Sequence, residues 1–139
     1  MSFVVLETPF KTTTITLANG QEYVVERNAN LSYARACMRD CLLRGEAVFA
    51  SHALFTQEGV LDDDDPEERR RGIEAGFAIA KHASRRVFYL DRGITSGMRW
   101  GLSHAVEIGQ PCEMRMLGES WDIGWARELP VAVLVDRLR

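Results

Sequence analysis

Apolar positions in this chain fall into short runs alternating with stretches of helical spacing, the pattern of strands joined by crossover helices. Phe3–Leu6 is the first run, and it empties into Glu7-Thr8-Pro9-Phe10. Thr12–Leu17 and Glu22–Val25 are β-rich and flank Ala18-Asn19-Gly20. An Asn-Gly pair between such runs is a strong hairpin signal. Leu31, Ala34, Met38, Cys41 and Leu42 then keep helical spacing, with Asn30 as the expected cap, Arg44 near the end and Gly45 as the stop. Ala47–Ala50 reads as a short strand, and residues 51–61 read as a loop carrying His52 and Gln57.

The second half repeats the alternation with clearer punctuation. Asp65-Pro66-Glu67-Glu68 combines an acidic cap, proline at the first helical position and a carboxylate three residues after the cap. Ile73, Gly76, Phe77 and Ala80 continue on one face. Val87–Leu90 is the next strand. Ser96 is the expected cap of a further helix, in which Met98, Leu102, Ala105 and Val106 face the sheet and Gly109 ends it. Cys112–Leu117 is again strand-like, and the tail holds Trp121, Trp125, Pro130 and the run Val131–Val135. The pattern predicts an α/β fold with a mostly parallel sheet covered on both faces. The hairpin, about 12–26, is an insert, and about 118–139 is a C-terminal extension of one domain spanning 1–139.

Composition narrows the partners. At 139 residues the chain fits a single domain, and 46% hydrophobic with 27% charged residues is ordinary for a globular protein. No apolar run approaches the ~20 residues that span a bilayer. The segment MSFVVLETPF lacks the basic start and long apolar core of a secretory signal. A cytoplasmic protein without a membrane partner is therefore expected. A net charge of −3 offers no general attraction for a nucleic-acid polymer. Cys37, Cys41 and Cys112 cannot all pair within the chain, and no Cys/His cluster has metal-ligand spacing. Cys37 and Cys41 share a helix face and read as buried thiols. Neither a metal nor a cofactor is expected.

Candidate chemistry gathers where strands should end. Asp91–Pro111 follows a hydrophobic run with a Gly-rich turn and a helix start, the setting in which open α/β sheets bind ligands and helix N-termini bind anions. Arg92, Gly93, Ser96, Gly97, Met98 and Arg99 are the candidate ligand-binding residues there, the two arginines for a phosphate. Thr8, Pro9 and Phe10 offer a hydroxyl, exposed backbone and an aromatic face, or form only an irregular strand exit. His52 is an acid, a base or a neutral donor, or it ties its own loop together, with Gln57 beyond it. Asp62, Asp63 and Asp64 suit Mg²⁺, ribose hydroxyls, acid–base work or a solvated turn, without forming a dedicated metal motif, while Asp65 is explained by capping. Arg69, Arg70 and Arg71 fan around a helix and read as a charged outer face. His82 and His104 read as surface or interface residues.

These residues together resemble the nucleoside 2-deoxyribosyltransferase superfamily, and within it a small branch frequent in bacterial and phage genomes. The resemblance covers roughly residues 3–117. It rests on Thr8-Pro9-Phe10, on Arg44-Gly45-Glu46-Ala47 leading to Ser51-His52, on Leu61-Asp62-Asp63 leading to Pro66-Glu67-Glu68-Arg69, and on Asp91-Arg92-Gly93-Ile94-Thr95-Ser96-Gly97-Met98. It implies a flavodoxin/Rossmann-like three-layer domain that assembles into homo-oligomers and cleaves a nucleoside N-glycosidic bond through a glutamate nucleophile. That glutamate lies four residues after a motif glycine; with the glycine at Gly97, its position is held by Gly101. Thr95 stands where an aspartate is frequent. Glycine cannot form the covalent bond. The expectation is therefore a protein that binds a nucleotide or nucleoside derivative. The alternative is an N-glycosidase or deoxyribosyltransferase with relocated catalytic residues: Asp62, Asp63 and His52, or Glu7 activating water. A third reading makes the hairpin and the Trp121/Trp125 tail a protein interface.

Overall fold

Strand periodicity in β1 (Ser2–Glu7) sets the layers. Val4 and Leu6 point to one face and Val5 and Glu7 to the other, because successive side chains alternate. The computed structural model describes residues 1–10, 13–16, 19–20, 22–25 and 27–118. Trp121, Trp125, Pro130 and Val131–Val135 lie outside the described residues.

Among the described residues, four strands form one parallel sheet: β1, β4 (Glu46–Phe49), β5 (Arg85–Tyr89) and β6 (Cys112–Arg115), in the order β4-β1-β5-β6. Val4 of β1 is in register with Val48 of β4 and with Arg85 of β5. β2 (Thr13–Thr16) and β3 (Glu22–Val25) make a separate antiparallel ladder, Thr13 opposite Val25 and Thr16 opposite Glu22. Gly20, with φ +85°, sits in the turn between them. This is one α/β domain whose parallel sheet is flanked by helices and whose hairpin stands apart from the sheet.

α1 (Arg27–Leu43) covers one face of the sheet. Its Tyr33, Cys37 and Cys41 pack with Val4, Leu6, Ala50, Val87 and Tyr89 into the main core. Burying each large aliphatic here is worth roughly 1.5–3 kcal/mol. The other face receives α3 (Pro66–Ala80) and α4 (Ser96–Glu107), which carry β4 to β5 and β5 to β6. Asp65 caps α3 as expected, accepting from the Glu67 and Glu68 amides at 2.9 and 3.1 Å. Cys37 and Cys41 are buried free thiols.

Several local expectations are corrected. α1 begins before Asn30, which is buried inside the helix and accepts a bond from Arg92 instead of capping. A five-residue helix, α2 (Ser51–Phe55), replaces the first part of the expected loop. Thr95, not Ser96, caps α4; its Oγ1 accepts from the Met98 amide at 3.3 Å. Leu42 and Val106 are 57% and 70% exposed, so neither faces the sheet. Their neighbours Cys41 and Ala105 already fill the buried stripe, and one step along a helix turns a side chain by ~100°.

Candidate functional site

From β1 the chain crosses to β4 on one side and later returns to β5 on the other. The reversal falls between β1 and β5, and at such a switch point open α/β sheets bind ligands in the crevice outside the carboxyl ends of the strands. Glu7 closes β1 at this point. Alternation turns it away from α1, and it meets α4 at Gly101. A Cβ on Gly101 would lie 2.5 Å from Glu7 Oε1 and 2.6 Å from its Cδ. A glycine inside a helix costs about 1 kcal/mol against alanine; here it lets a carboxyl group rest on bare helix backbone.

The charge opposite Glu7 is loosely placed. Arg86 of β5 is fully buried, and its Nη1 is 3.8 Å from Glu7 Oε1. That guanidinium is turned to other partners: Nη1 donates to the Gly101 carbonyl and Nη2 to Nδ1 of His104. The His104 ring stacks on Phe77 at 4.0 Å, and Arg86 lies 5.3 Å from the centre of the same Phe77 ring. Arg86 Nε has no hydrogen-bond partner among the described residues. Burial drives the Glu7 carboxyl up to about 7, and the Arg86 charge opposes this only in part. His104 is pushed below the usual histidine range, first by burial and then by Arg86.

Thr8 and His52 form the adjoining group. α2 starts directly after β4 and holds His52 Nε2 2.8 Å from Thr8 Oγ1. The Phe10 ring meets the imidazole edge-on, with centroids 5.3 Å apart. Burial lowers the His52 pKa to about 4, so the ring is neutral at physiological pH and acts there as a donor and acceptor. Pro9 is buried beside them. Gln57 points elsewhere, donating from an exposed position to the Leu54 carbonyl at 3.0 Å.

The acidic run divides. Asp62 is exposed and accepts from the Asp64 amide at 2.9 Å. Asp63 turns inward and pairs with Arg69 at 3.1 Å. The Arg69 guanidinium reaches the first turn of α4, where a Cβ on Gly97 would be 3.7 Å from its Nη2. Arg70 and Arg71 lie outside and pair with Glu67, Arg70 also with Glu74.

Beyond β5, Arg92 is buried on the α1 side; its Nη1 donates to Asn30 Oδ1 at 2.8 Å and its guanidinium covers the Tyr33 ring. Gly93 turns with φ +80°. Ser96 and Arg99 are exposed at the start of α4, Gly97 is half-buried and Met98 is in the core. The structure thus gathers Thr8, Pro9, Phe10 and His52 in one group and brings Arg69, paired with Asp63, to Gly97, while Gln57 bonds to the Leu54 carbonyl and Arg92 to Asn30. Among the described residues no three His, Cys, Asp or Glu side chains form a metal-binding group. No described helix is long and apolar enough to cross a membrane.

Two residues carry more than their sequence context suggested. Arg69 was hidden inside an Arg-Arg-Arg run, where only the helix phase tells inward from outward. Glu7 has a readable signal: an acid in strand phase with a core valine, paired in the fold with a glycine inside a helix.

Comparison with known proteins agrees with this architecture. The profile of the family described as Domain of unknown function (DUF7768) matches residues 3–115, and the chain belongs to that family. Among solved structures, a 2-deoxyribosyltransferase of Bacillus psychrosaccharolyticus, described as a biocatalyst for nucleoside synthesis, is similar with a TM-score of 0.53. The two are 19% identical over 92% of this chain and 82% of that one, a likeness of fold. No curated protein matches the chain significantly.

Proposed function

We propose that this DUF7768 member binds a nucleoside or nucleotide in the crevice outside the carboxyl ends of β1 and β5. The observation that carries the reading is the convergence there of Glu7, Thr8, Phe10 and neutral His52 on a deoxyribosyltransferase-like fold. Phe10 supplies an aromatic edge for a base. Thr8 and His52 supply uncharged hydrogen-bonding groups for a base or sugar. Arg69 and Arg99, near the first turn of α4, supply cations for a phosphate. A protein that binds without turnover would act by sequestering its ligand, the role expected of a phage member of such a branch. Neighbouring copies completing one another's sites, in a cytoplasmic homo-oligomer, belong to the same reading.

The test is mass spectrometry of the full chain incubated with a mixed pool of nucleosides, nucleotides and cyclic nucleotides, read in the bound fraction and the supernatant. Recovery of one ligand class, weakened by Phe10→Ala, is the expected result. Flat calorimetry across the same pool would refute it.

The second reading, cleavage of an N-glycosidic bond, is favoured by one specific observation. Glu7 ends β1 against the bare backbone of Gly101 with its one ionic contact at 3.8 Å among the described residues, and burial there pushes its carboxyl up to about 7, the range an acid–base group needs.

A further inference from the structure

We infer that the carboxyl group of Glu7, seated against the bare backbone of Gly101, is the proton donor in a hydrolytic cleavage of an N-glycoside by this chain. The inference rests on the reading that a nucleoside or nucleotide occupies the crevice.

Its first support is the commitment of the other carboxylates near the strand ends. Asp63 is paired with Arg69, and Asp62 holds the Asp64 amide. Asp91 accepts from the Tyr33 hydroxyl and from the Leu117 and Gly118 amides. Among the described residues Glu7 has one charged partner, at 3.8 Å, and its side chain keeps 18% of its surface exposed. Among the described residues it is the carboxyl at this edge that accepts no hydrogen bond.

Its second support is the local environment. Arg86 faces Glu7 from β5, Cys112 from β6 and His104 lies behind Arg86 on α4, while α3 contributes the Phe77 ring. One cation, itself shared with the Gly101 carbonyl and His104, does not hold the carboxyl ionised. At neutral pH a substantial fraction of Glu7 carries its proton. The absence of a side chain at Gly101 then has a reason: any Cβ there would displace this carboxyl.

The step balances without a protein nucleophile. Glu7 gives its proton to a ring nitrogen of the base as the C1′–N bond breaks, and the bonding pair leaves with the base. A water oxygen forms the new bond to C1′, and the proton that water loses returns to the Glu7 carboxylate. The products are free base and free sugar or sugar phosphate, and the acid is restored.

The experiment incubates the full chain with ribo- and 2′-deoxyribonucleosides and their 5′-monophosphates in ¹⁸O-water. Free base, label in the sugar and ligand affinity are measured for wild type, Glu7→Gln and Gly101→Ala. Wild type is expected to release base, place ¹⁸O on the sugar and lose kcat as pH rises through about 7. Glu7→Gln is expected to lower kcat by roughly 10²- to 10⁴-fold with affinity retained and that pH limb gone. Gly101→Ala keeps the acid but displaces it, and is expected to lose rate with the fold intact. Unchanged turnover in Glu7→Gln overturns the assignment. So does a ligand that binds wild type and is recovered intact at every pH, and that outcome leaves the binding reading standing. Failure of every compound to bind removes both readings together.

Discussion

Among the described residues there are two buried Arg–Glu encounters, one on each face of the sheet, and they behave oppositely. On the α1 face, Arg115 grips Glu46 with two bonds of 2.7 Å and also reaches Glu113 at 2.9 Å. Those bonds hold the Glu46 carboxyl below the usual range and push the guanidinium up. On the α4 face, Arg86 stands 3.8 Å from Glu7 and spends its donors on a carbonyl and an imidazole, so burial wins and the Glu7 pKa rises to about 7. The same two residue types give a clamp in one place and a titrating acid in the other. Geometry decides: bidentate contact offsets desolvation, and a single long contact does not.

The clamp is where removal should cost most. Arg115→Met leaves Glu46 buried without its cation, and a destabilisation of about 3–5 kcal/mol is expected by urea unfolding at pH 7. Because the Glu46 pKa is lowered, this contribution is present above the ordinary value of 4.5 and fades as pH falls through and below it. A cost that did not shrink in acid would show that Arg115 acts through packing alone.

Glu7 should show the reverse dependence. Its folded pKa, near 7, exceeds the ordinary 4.5, so the folded state binds the proton more tightly and stability falls as pH rises between those values. Glu7→Gln mimics the protonated group. It is expected to stabilise the protein by at most about 3 kcal/mol at pH 8.5 and to change little at pH 4.5. Thermal unfolding at the two pH values reads this directly, and a loss of stability at pH 8.5 would mean that the ionised carboxylate is held after all.

Arg86→Met sharpens the contrast further. With Glu7 free to stay protonated, no uncompensated charge remains, and a smaller cost of about 1–2 kcal/mol is expected from the lost bonds to Gly101 and His104. The Glu7 pKa should rise further, seen as an upward shift of its carboxyl titration by NMR. A cost equal to that of Arg115→Met would erase the distinction between the two pairs.

How far the sequence foretold these regions follows from what each signal measures. The alternation of β1 and β5, the Asp65-Pro66 start and the Asn19-Gly20 turn are local rules, and the sheet, α3 and the β2–β3 ladder follow them. Asn30 and Ser96 satisfied the same rule for caps, yet a buried partner claimed Asn30 and Thr95 stood one residue nearer the turn. The charged pairs were not legible. Glu46 and Arg115 lie 69 residues apart, and no periodicity joins two edge strands. Arg92 reads as a phosphate ligand because it flanks a Gly-rich turn; its contacts with Asn30 and the Tyr33 ring on α1 were not legible from that position. Glu7 was visible as an acid at a strand end; its meaning needed Gly101, 94 positions later, to be brought against it.

Gly101→Ala gives the smallest change in stability and the most direct reading of that contact. Alanine gains about 1 kcal/mol of helix propensity over glycine, while its Cβ would intrude to 2.5 Å on the Glu7 Oε1 and force the carboxyl to move. The clash is with the end of a flexible side chain, so the two effects nearly cancel and unfolding should shift by less than about 1 kcal/mol. The titration should not stay still. A carboxyl pushed off the helix backbone toward water loses the burial that raised it, and its pKa should fall from about 7 toward 4.5. In the Glu7→Gln background the same change at Gly101 should leave no pH-dependent difference. A Glu7 titration that ignored the added methyl would separate the two residues and return Gly101 to being only a glycine in a helix.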